Sequence, residues 1–298
     1  MATDNHAGAS AGPPLARIAV IGDVHSAWEF CDVVYFNRSP YELLLIAGDL
    51  GGSRARDGLR VARSMAQLKR RALVMPGNND VDEYGRIAAE LTYRQAQAEL
   101  LEDLLPENGE PPVRPRTCGY SLHPVSVGGQ AVTILAARPF AWGGCELSFP
   151  EALERSFGVR SMDDSVDRLC ALVDQVQTEQ LVVFAHNGPF GLGARRDAPW
   201  GRDFDPAEGD WGDRDLRSAI DYAVQRGRRP SAVVAGHMHW ALRGGGQRRW
   251  QLQKDGILYL NAARVPRVVE RADKRLRFHI ALTLGPEGAR AEEVPVED

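Results

Sequence analysis

The sequence contains few cysteines and no long apolar run. Its four cysteines are scattered without Cys-x-x-Cys spacing, which argues against a zinc ribbon, a thioredoxin motif and a dense disulfide framework. No apolar run approaches the roughly 20 residues of a membrane helix, and residues 1–16 lack the basic and apolar regions of a secretory signal. We therefore expect a cytoplasmic protein, or one of the organelle stroma if the source is a plant or an alga, without a membrane partner.

A strong excess of charge is also lacking. The formal net charge of -4 over 298 residues argues against nucleic acid as an obligate partner. With 44% hydrophobic residues, the chain can bury a large core. We expect a disordered tail at residues 1–16, a single domain over residues 17–290 and a flexible tail at residues 291–298. The sequence indicates no particular oligomeric state.

Apolar runs of strand length alternate with segments of helical periodicity. Helices are predicted over residues 58–71, 81–105 and 161–177. Such an alternation of strands and helices is typical of a layered α/β architecture. The predicted strands, all of them short apolar runs, are residues 17–23, 43–49, 72–78, 131–137, 181–188, 232–239 and 257–263.

Polar side chains collect where these apolar runs end. In open α/β sheets, ligands bind beyond the carboxyl ends of the strands. A single Gly-Asp pair after a strand is more often a turn, and an isolated His-x-His pair more often has no metal role. The ordered combination favours one shared site. The residues concerned are Asp23, His25, Asp49, Asn78, His186, His237 and His239.

These ordered motifs resemble those of the calcineurin-like metallophosphoesterases. They stand here as GDVH (residues 22–25), GD (48–49), GNND (77–80), AHNG (185–188) and GHMH (236–239). The resemblance covers residues 17–265 and implies an α/β fold in which helices flank a double β-sheet sandwich (αββα). The stretches AHNGPFGLG, GDWGDRDL and LNAARVPRV also resemble a metallophosphoesterase subfamily of cyanobacteria and plants.

The resemblance implies a dinuclear metal centre bridged by Asp49. One ion would be held by Asp23, His25, Asp49 and His239. The other would be held by Asp49, Asn78, His186 and His237. It also implies hydrolysis of a phosphodiester or phosphomonoester, with a metal-bridging hydroxide as the nucleophile. Nitrogen and oxygen ligands without cysteine favour manganese, iron, zinc, nickel or cobalt ions.

The chain departs from the family pattern at two places. The family often has a histidine that contacts the scissile phosphate at the position of Asn79, and asparagine cannot supply a titrating proton. Asn79 and Asp80 are candidate catalytic residues, and Asp80 is expected to be able to orient a histidine introduced at position 79. The segment that follows Gly48 lacks the Gly-Asp-x-x-Asp-Arg-Gly motif of protein serine/threonine phosphatases, which argues against that class. Because of Asn79, a weakly active or inactive scaffold for protein–protein interaction is the alternative to a hydrolase.

Groups that could bind a small phosphorylated substrate lie on the long loop at residues 188–215. Arg195, Arg196 and Arg202 are candidates for phosphate contacts, and Trp200 or Trp211 could stack on a base. A solvated loop whose charges pair with one another is an equally good interpretation.

Three further features belong to this interpretation. Arg138 ends a predicted strand and is a candidate to stabilise the leaving oxygen, although a structural salt bridge is equally plausible. His123 and His279 lie outside the motifs and are predicted not to bind metal. Residues 243–250 are predicted to form a glycine turn with a basic tip between two strands.

Overall fold

The computed structural model of the protein describes residues 15–52, 55–101, 114–205, 207 and 209–298. The strands in these ranges are β1 (Ala16–Ile21), β2 (Leu43–Ile46), β3 (Arg71–Val74), β4 (Pro115–Thr117), β5 (Ser121–Val127), β6 (Gln130–Ala136), β7 (Gln180–Phe184), β8 (Ala232–Ala235), β9 (Gln251–Lys254), β10 (Ile257–Asn261), β11 (Val268–Arg271), β12 (Lys274–Gly285) and β13 (Gly288–Glu297). The helices are α1 (Phe30–Arg38), α2 (Ala55–Met65), α3 (Tyr84–Leu101), α4 (Pro150–Phe157), α5 (Met162–Asp174) and α6 (Arg214–Gln225), and a 3-10 helix spans Asn78–Glu83.

The strands form two mixed sheets. In the first sheet β1, β2, β3 and β4 are parallel neighbours, and β12 pairs antiparallel with β1, β11 and β13. In the second sheet β6, β7, β8 and β10 are parallel neighbours, with β5 and β9 antiparallel at its two edges. Both parallel blocks are buried on two faces, which explains why their sequences are continuous apolar runs.

The side chains of each strand alternate between two layers of core. In β1, Ile18 and Val20 pack between the sheets, whereas Ile21 packs under α1 and α2. In β8, Val234 faces the space between the sheets and Val233 faces α5 and α6. Helices therefore cover the outer face of each sheet, and the predicted αββα architecture is confirmed.

The chain end differs from its expected description as a flexible tail. Residues 291–297 lie in β13, which pairs with β12 from Gly285↔Gly288 to Leu276↔Glu297. The segment has no apolar run because β13 is half-exposed, and its Pro295 fits a strand that pairs with only one described neighbour. At the other end, β1 already begins at Ala16, and the rest of the expected N-terminal tail lies outside the described residues.

The predicted helices are present with shorter bounds. The helix predicted from residue 81 begins as the 3-10 helix and continues as α3 to Leu101, and the remainder of that prediction falls outside the described ranges. The turn predicted at residues 243–250 is present, closed by hydrogen bonds between Leu242 and the glycines at 245 and 246. Within the described part of the chain, no helix has the length and apolar character needed to cross a membrane.

Candidate metal centre

The predicted ligands meet at one edge of the sandwich, where the parallel strands of both sheets end. Asp23 and His25 follow β1, Asp49 follows β2 and Asn78 follows β3 in the first sheet. His186 follows β7, and His237 and His239 follow β8 in the second sheet. The backbone N–H of His237 donates to Oδ1 of Asp23 over 2.8 Å, which joins the end of β8 to the end of β1. The site is therefore built from both sheets.

One group of ligand atoms comes from Asp23, His25 and His239. The Nε2 atoms of the two histidines are 3.0 Å apart, and Oδ2 of Asp23 lies 3.4 Å from Nε2 of His239 and 3.9 Å from Nε2 of His25. Oδ2 of Asp23 is buried and has no hydrogen-bond partner among the described residues. Two imidazole nitrogens and an orphaned carboxylate oxygen that face one another fit a metal ion, because a cation satisfies all three lone pairs.

The second group comes from Asp49, His186 and His237. Nε2 of His186 lies 3.7 Å from Oδ1 of Asp49 and 2.9 Å from Oδ1 of Asn78. The other oxygen of Asp49, Oδ2, lies 3.8 Å from Nε2 of His25 in the first group. The carboxylate of Asp49 therefore lies between the two groups, as a bridging ligand must.

Hydrogen bonds to the backbone orient the histidine rings. Nδ1 of His186 donates to the carbonyl of Ala47 over 2.6 Å, and Nδ1 of His25 lies 3.3 Å from the carbonyl of Gly51. With the proton on Nδ1, the lone pair of Nε2 faces the site. The carbonyls of Ala47 and Gly51 therefore favour the tautomer of His186 and His25 that carries its proton on Nδ1.

Three of these residues have left-handed backbone conformations. The φ angles are +40° at His25, +47° at Asp49 and +72° at His237. Non-glycine residues rarely adopt such angles, and they concentrate at functional sites where the surroundings compensate for the strain. Close packing is part of those surroundings: a Cβ on Gly77 would lie 2.1 Å from Oδ1 of Asp49. The tight turns therefore fix where the carboxylate lies.

Burial and neighbouring charges shift the pKa values at the site in opposite directions. Burial lowers the pKa of His237 to about 3, so that its ring is neutral and can act as a ligand. For Asp23, burial raises the pKa, but the nearby imidazoles of His239 and His186 outweigh it, and the net pKa lies below the ordinary value. Burial and the carboxylate of Asp49 together raise the pKa of Asp80 to about 7.

Asn79 and Asp80 both form hydrogen bonds that hold the loops carrying the candidate ligands. The backbone N–H and the Nδ2 of Asn79 donate to the two oxygens of Asp49 over 2.9 and 2.7 Å. The two oxygens of Asp80 accept hydrogen bonds from the N–H groups of Gly77 and Leu50, both at 2.9 Å. Asp80, a candidate catalytic residue, is buried and does not line the cleft, and its carboxylate fastens the loop after β3 to the loop after β2.

The role suggested for Arg138 is also wrong. Its side chain is buried and forms ion pairs of 2.8 Å with Asp213 and with Asp215. Ser165 donates to the same carboxylate of Asp215, and Tyr120 is hydrogen-bonded to Ser165. Arg138 ends a strand as the ligands do, but its guanidinium points into this buried network and does not line the cleft. The structural salt bridge is the correct alternative.

The arginines predicted to bind phosphate are also engaged elsewhere. Arg195 pairs with Asp197, and Arg196 donates to the backbone carbonyls of Arg243 and Gly245. Arg202 pairs with Asp205. None of the three lines the cleft. The self-paired loop is therefore the better description of these residues.

The two tryptophans of this loop differ in position. Trp200 is buried and donates its indole N–H to the carbonyl of Gly236 over 3.1 Å, so it cannot stack on a substrate. Trp211 lines the cleft, but Arg202 lies over its ring, 5.5 Å from the centroid. His123, bonded to Arg116 and Ser121, lies outside both ligand groups.

The cleft above the ligands has a volume of about 270 Å³ and is lined partly by residues that the sequence motifs do not include. Arg243 is exposed at its rim, and its guanidinium has no carboxylate partner among the described residues. It lies over the ring of Phe204, 5.7 Å from the centroid. Trp142 lines the same cleft from the loop after β6. The basic tip predicted after His239 was the only sequence signal for Arg243.

Comparison with known proteins agrees with this geometry. The family of calcineurin-like phosphoesterases matches residues 16–241, which is more than half of the chain. The protein therefore belongs to the calcineurin-like phosphoesterase family, whose general activity is metal-dependent hydrolysis of phosphoesters.

The fold is also similar to those of solved structures. TT1561 of Thermus thermophilus is 11% identical, with a TM-score of 0.54 over 93% of this chain and 98% of that chain. A second solved structure is 11% identical, with a TM-score of 0.56 over 94% and 99% of the two chains. A hypothetical protein from Thermus thermophilus is 15% identical, with a TM-score of 0.47 over 95% and 99%. No curated protein sequence matches the chain significantly. The first two similarities support the fold, and the subfamily stays a prediction.

Proposed function

We propose that the protein hydrolyses a small phosphorylated substrate, a phosphodiester or phosphomonoester, at a dinuclear metal centre bridged by Asp49. The observation that carries this proposal is the position of the Asp49 carboxylate, 3.8 Å from Nε2 of His25 on one side and 3.7 Å from Nε2 of His186 on the other. A carboxylate between two histidine-containing groups matches the donors of a two-ion site. The mixed nitrogen and oxygen donors suit manganese, iron, zinc, nickel or cobalt.

The ligand sets follow the two groups. The first ion would be held by Asp23, His25, Asp49 and His239. The second would be held by Asp49, Asn78, His186 and His237. When bound, two such ions polarise the phosphoryl oxygens and activate water for attack.

The remaining groups of the cleft would bind the substrate and orient the candidate metal ligands. Arg243 places a positive charge at the rim, where it can donate to a phosphoryl oxygen in a charge-assisted hydrogen bond. Asn79 holds the carboxylate of Asp49 with its side-chain amide, and it has no titratable proton to transfer to a leaving group. Hydrolysis would therefore depend on substrate positioning and on the ions rather than on an acid at position 79.

Metal content tests the proposal directly. Asp49→Asn should lose occupancy at both sites, whereas the parent protein should bind about two ions per chain. Asp197→Asn is the matched control, because Asp197 is a carboxylate of the 188–215 loop that pairs only with Arg195 among described side chains. Elemental analysis after dialysis against manganese, followed by aryl monoester and diester assays, gives both readouts.

One outcome would favour the scaffold alternative, and another would contradict the bridging role of Asp49. A metal-loaded parent that hydrolyses neither ester class would favour a protein-binding scaffold that retains the fold. Full metal content in Asp49→Asn would show that the bridging role is wrong, whatever the activity.

A further inference from the structure

Three exposed aromatic side chains surround the metal cleft and a recess beside it. Trp142 is 49% exposed, Phe204 is 40% exposed and Phe149 is 36% exposed. Phe204 lines the cleft and Phe149 lines the recess, which has a volume of about 560 Å³. Trp142 and Trp211 line both spaces. Half of the exposed large apolar side chains of the described residues are thus concentrated here, which is typical of a binding surface.

The backbone of Trp142 is held in place although its ring is exposed. Its N–H donates to Oγ of Ser148 over 3.1 Å, and its carbonyl accepts the indole N–H of Trp211 over 2.7 Å. Gly143 follows with a φ of +87°, and a Cβ there would lie 2.3 Å from the carbonyl oxygen of Trp211. This turn therefore requires glycine and fixes the point from which the Trp142 ring projects. A fixed platform loses little conformational entropy when a ligand binds.

The ring of Trp142 also lies close to the proposed metal ligands. Its centroid is 5.9 Å from that of His237, at an interplanar angle of 57°. The other two aromatic rings of the cleft each have a cation over one face: Arg243 lies over Phe204, and Arg202 lies over Trp211. Within the described part of the chain, no cation lies over Trp142. Among the described aromatic rings of the cleft, that of Trp142 is therefore the most exposed and the one without a cation over it.

We propose that the substrate is a phosphoester whose alcohol carries a planar aromatic ring, of nucleotide size, and that this ring stacks on Trp142. With its phosphate beside Arg243 and the ligand groups, such a molecule extends past Trp142 into the recess. Trp142 lines both the cleft of about 270 Å³ and the recess of about 560 Å³, so a ring that stacks on it has room in these spaces. This inference rests on the proposed function and adds a class of substrate to it.

A matched pair of esters isolates the ring. Adenosine 5′-monophosphate and ribose 5-phosphate have the same primary alkoxide leaving group, and only the first carries a base. Their methyl phosphodiesters form an equivalent pair for a diesterase. The ratio of kcat/KM between the members of a pair, measured on manganese-loaded protein, reports the ring alone. Where neither ester is hydrolysed, calorimetric Kd values for the same pair report binding.

We expect the parent to prefer the ring-bearing ester by on the order of 10- to 100-fold, the range found for bases stacked on aromatic side chains. Trp142→Ala should remove most of this preference, and Trp142→Phe should retain much of it. Phe30→Ala is the control, because Phe30 is 63% exposed but lines a separate cavity beside α1, and it should leave the ratio at the parent value. Metal content and circular dichroism establish that each variant is folded.

The outcomes separate the two proposals. If the parent hydrolyses both members equally, or if Trp142→Ala keeps the preference, the stacking inference is wrong and the hydrolase proposal stands. If Kd shows a ring preference that Trp142→Ala abolishes while no ester is hydrolysed, Trp142 is confirmed as a stacking site for a bound ligand and the hydrolase proposal fails.

Discussion

The side-chain amide of Asn79 donates to Oδ2 of Asp49 over 2.7 Å. This hydrogen bond gives Asn79 a role that differs from the proton transfer assigned to a histidine at this position, because it holds the carboxylate that lies between the two ligand groups. An amide there can orient Asp49 and cannot protonate a leaving alkoxide.

The first prediction concerns leaving groups. Without an acid at position 79, the rate should fall steeply as the leaving-group pKa rises. Asn79→His should flatten that dependence, recovering for alkyl esters part of the ~10²–10⁴-fold that general acids contribute. Asn79→Ala is the control, since it removes the side-chain hydrogen bond to Asp49 without adding an acid. A leaving-group series at equal metal content measures how the rate depends on leaving-group pKa for each protein. Equal slopes for all three proteins would show that position 79 is not the site of a general acid.

The second prediction concerns the cation at the rim of the cleft. Arg243→Ala should lower kcat/KM for phosphoesters by on the order of 10- to 100-fold, since a hydrogen bond to a charged group contributes about 1.5–3 kcal/mol. Arg243→Lys should restore part of the loss because the charge is kept. Arg195→Ala serves as the control, as Arg195 pairs with Asp197 away from the cleft. Equal losses in the Arg243 and Arg195 variants would show that Arg243 has no specific role.

The third prediction assigns Arg138 to stability. Arg138→Met leaves two carboxylates buried without their cation and should lower the free energy of unfolding by about 3–5 kcal/mol. Arg160→Met, which removes an exposed i,i+4 pair with Asp164, should have no measurable effect. Urea unfolding measures both changes. Metal content of the folded Arg138 variant should equal that of the parent, and a stable variant with impaired catalysis would restore the original catalytic role.

The fourth prediction is a pH dependence of stability that arises from His279. Burial lowers its pKa to about 3, and its Nε2 lies 3.0 Å from the hydroxyl of Tyr41. In the unfolded chain the imidazole binds a proton below its ordinary pKa of about 6.5, whereas the folded protein keeps it neutral. Stability contributed by His279 is therefore complete above that value and is lost as the pH falls towards about 3.

The size of this effect follows from the two pKa values. Between about pH 7 and pH 5 the stability contributed by His279 should fall by about 2 kcal/mol. His279→Gln cannot take up a proton and should lose less free energy of unfolding over the same interval. Urea unfolding of both proteins without added metal gives the comparison, and identical pH profiles would mean that His279 does not titrate between the two states.

The convergence of the candidate metal ligands could be predicted because each lies next to a strand end in a recognisable motif. His186 and His237 were placed correctly from short apolar runs that end in histidine, since parallel strands bring their carboxyl ends to one edge. Arg138 follows a strand in the same way, but its partners Asp213 and Asp215 are distant in sequence, and they determine where its side chain points.

Other parts of the site and fold depend on contacts that have no local signal. Trp142 and Arg243 meet at the cleft because loops after β6 and β8 pack together, and no sequence spacing encodes that packing. Strand β13 was missed since its charged residues alternate on an exposed face, and pairing with β12 rather than burial defines it.

Because each proposed ion takes ligands from both sheets, it would also link the two sheets at this end of the sandwich. Only the folded chain brings these loops together, so the free energy of ion binding is added to that of folding and grows with the concentration of free ion. A chain deprived of metal would open more often at this edge and would be exposed to proteases for a larger fraction of time. Metal supply would therefore affect the abundance of the protein in the cell as well as its catalytic activity.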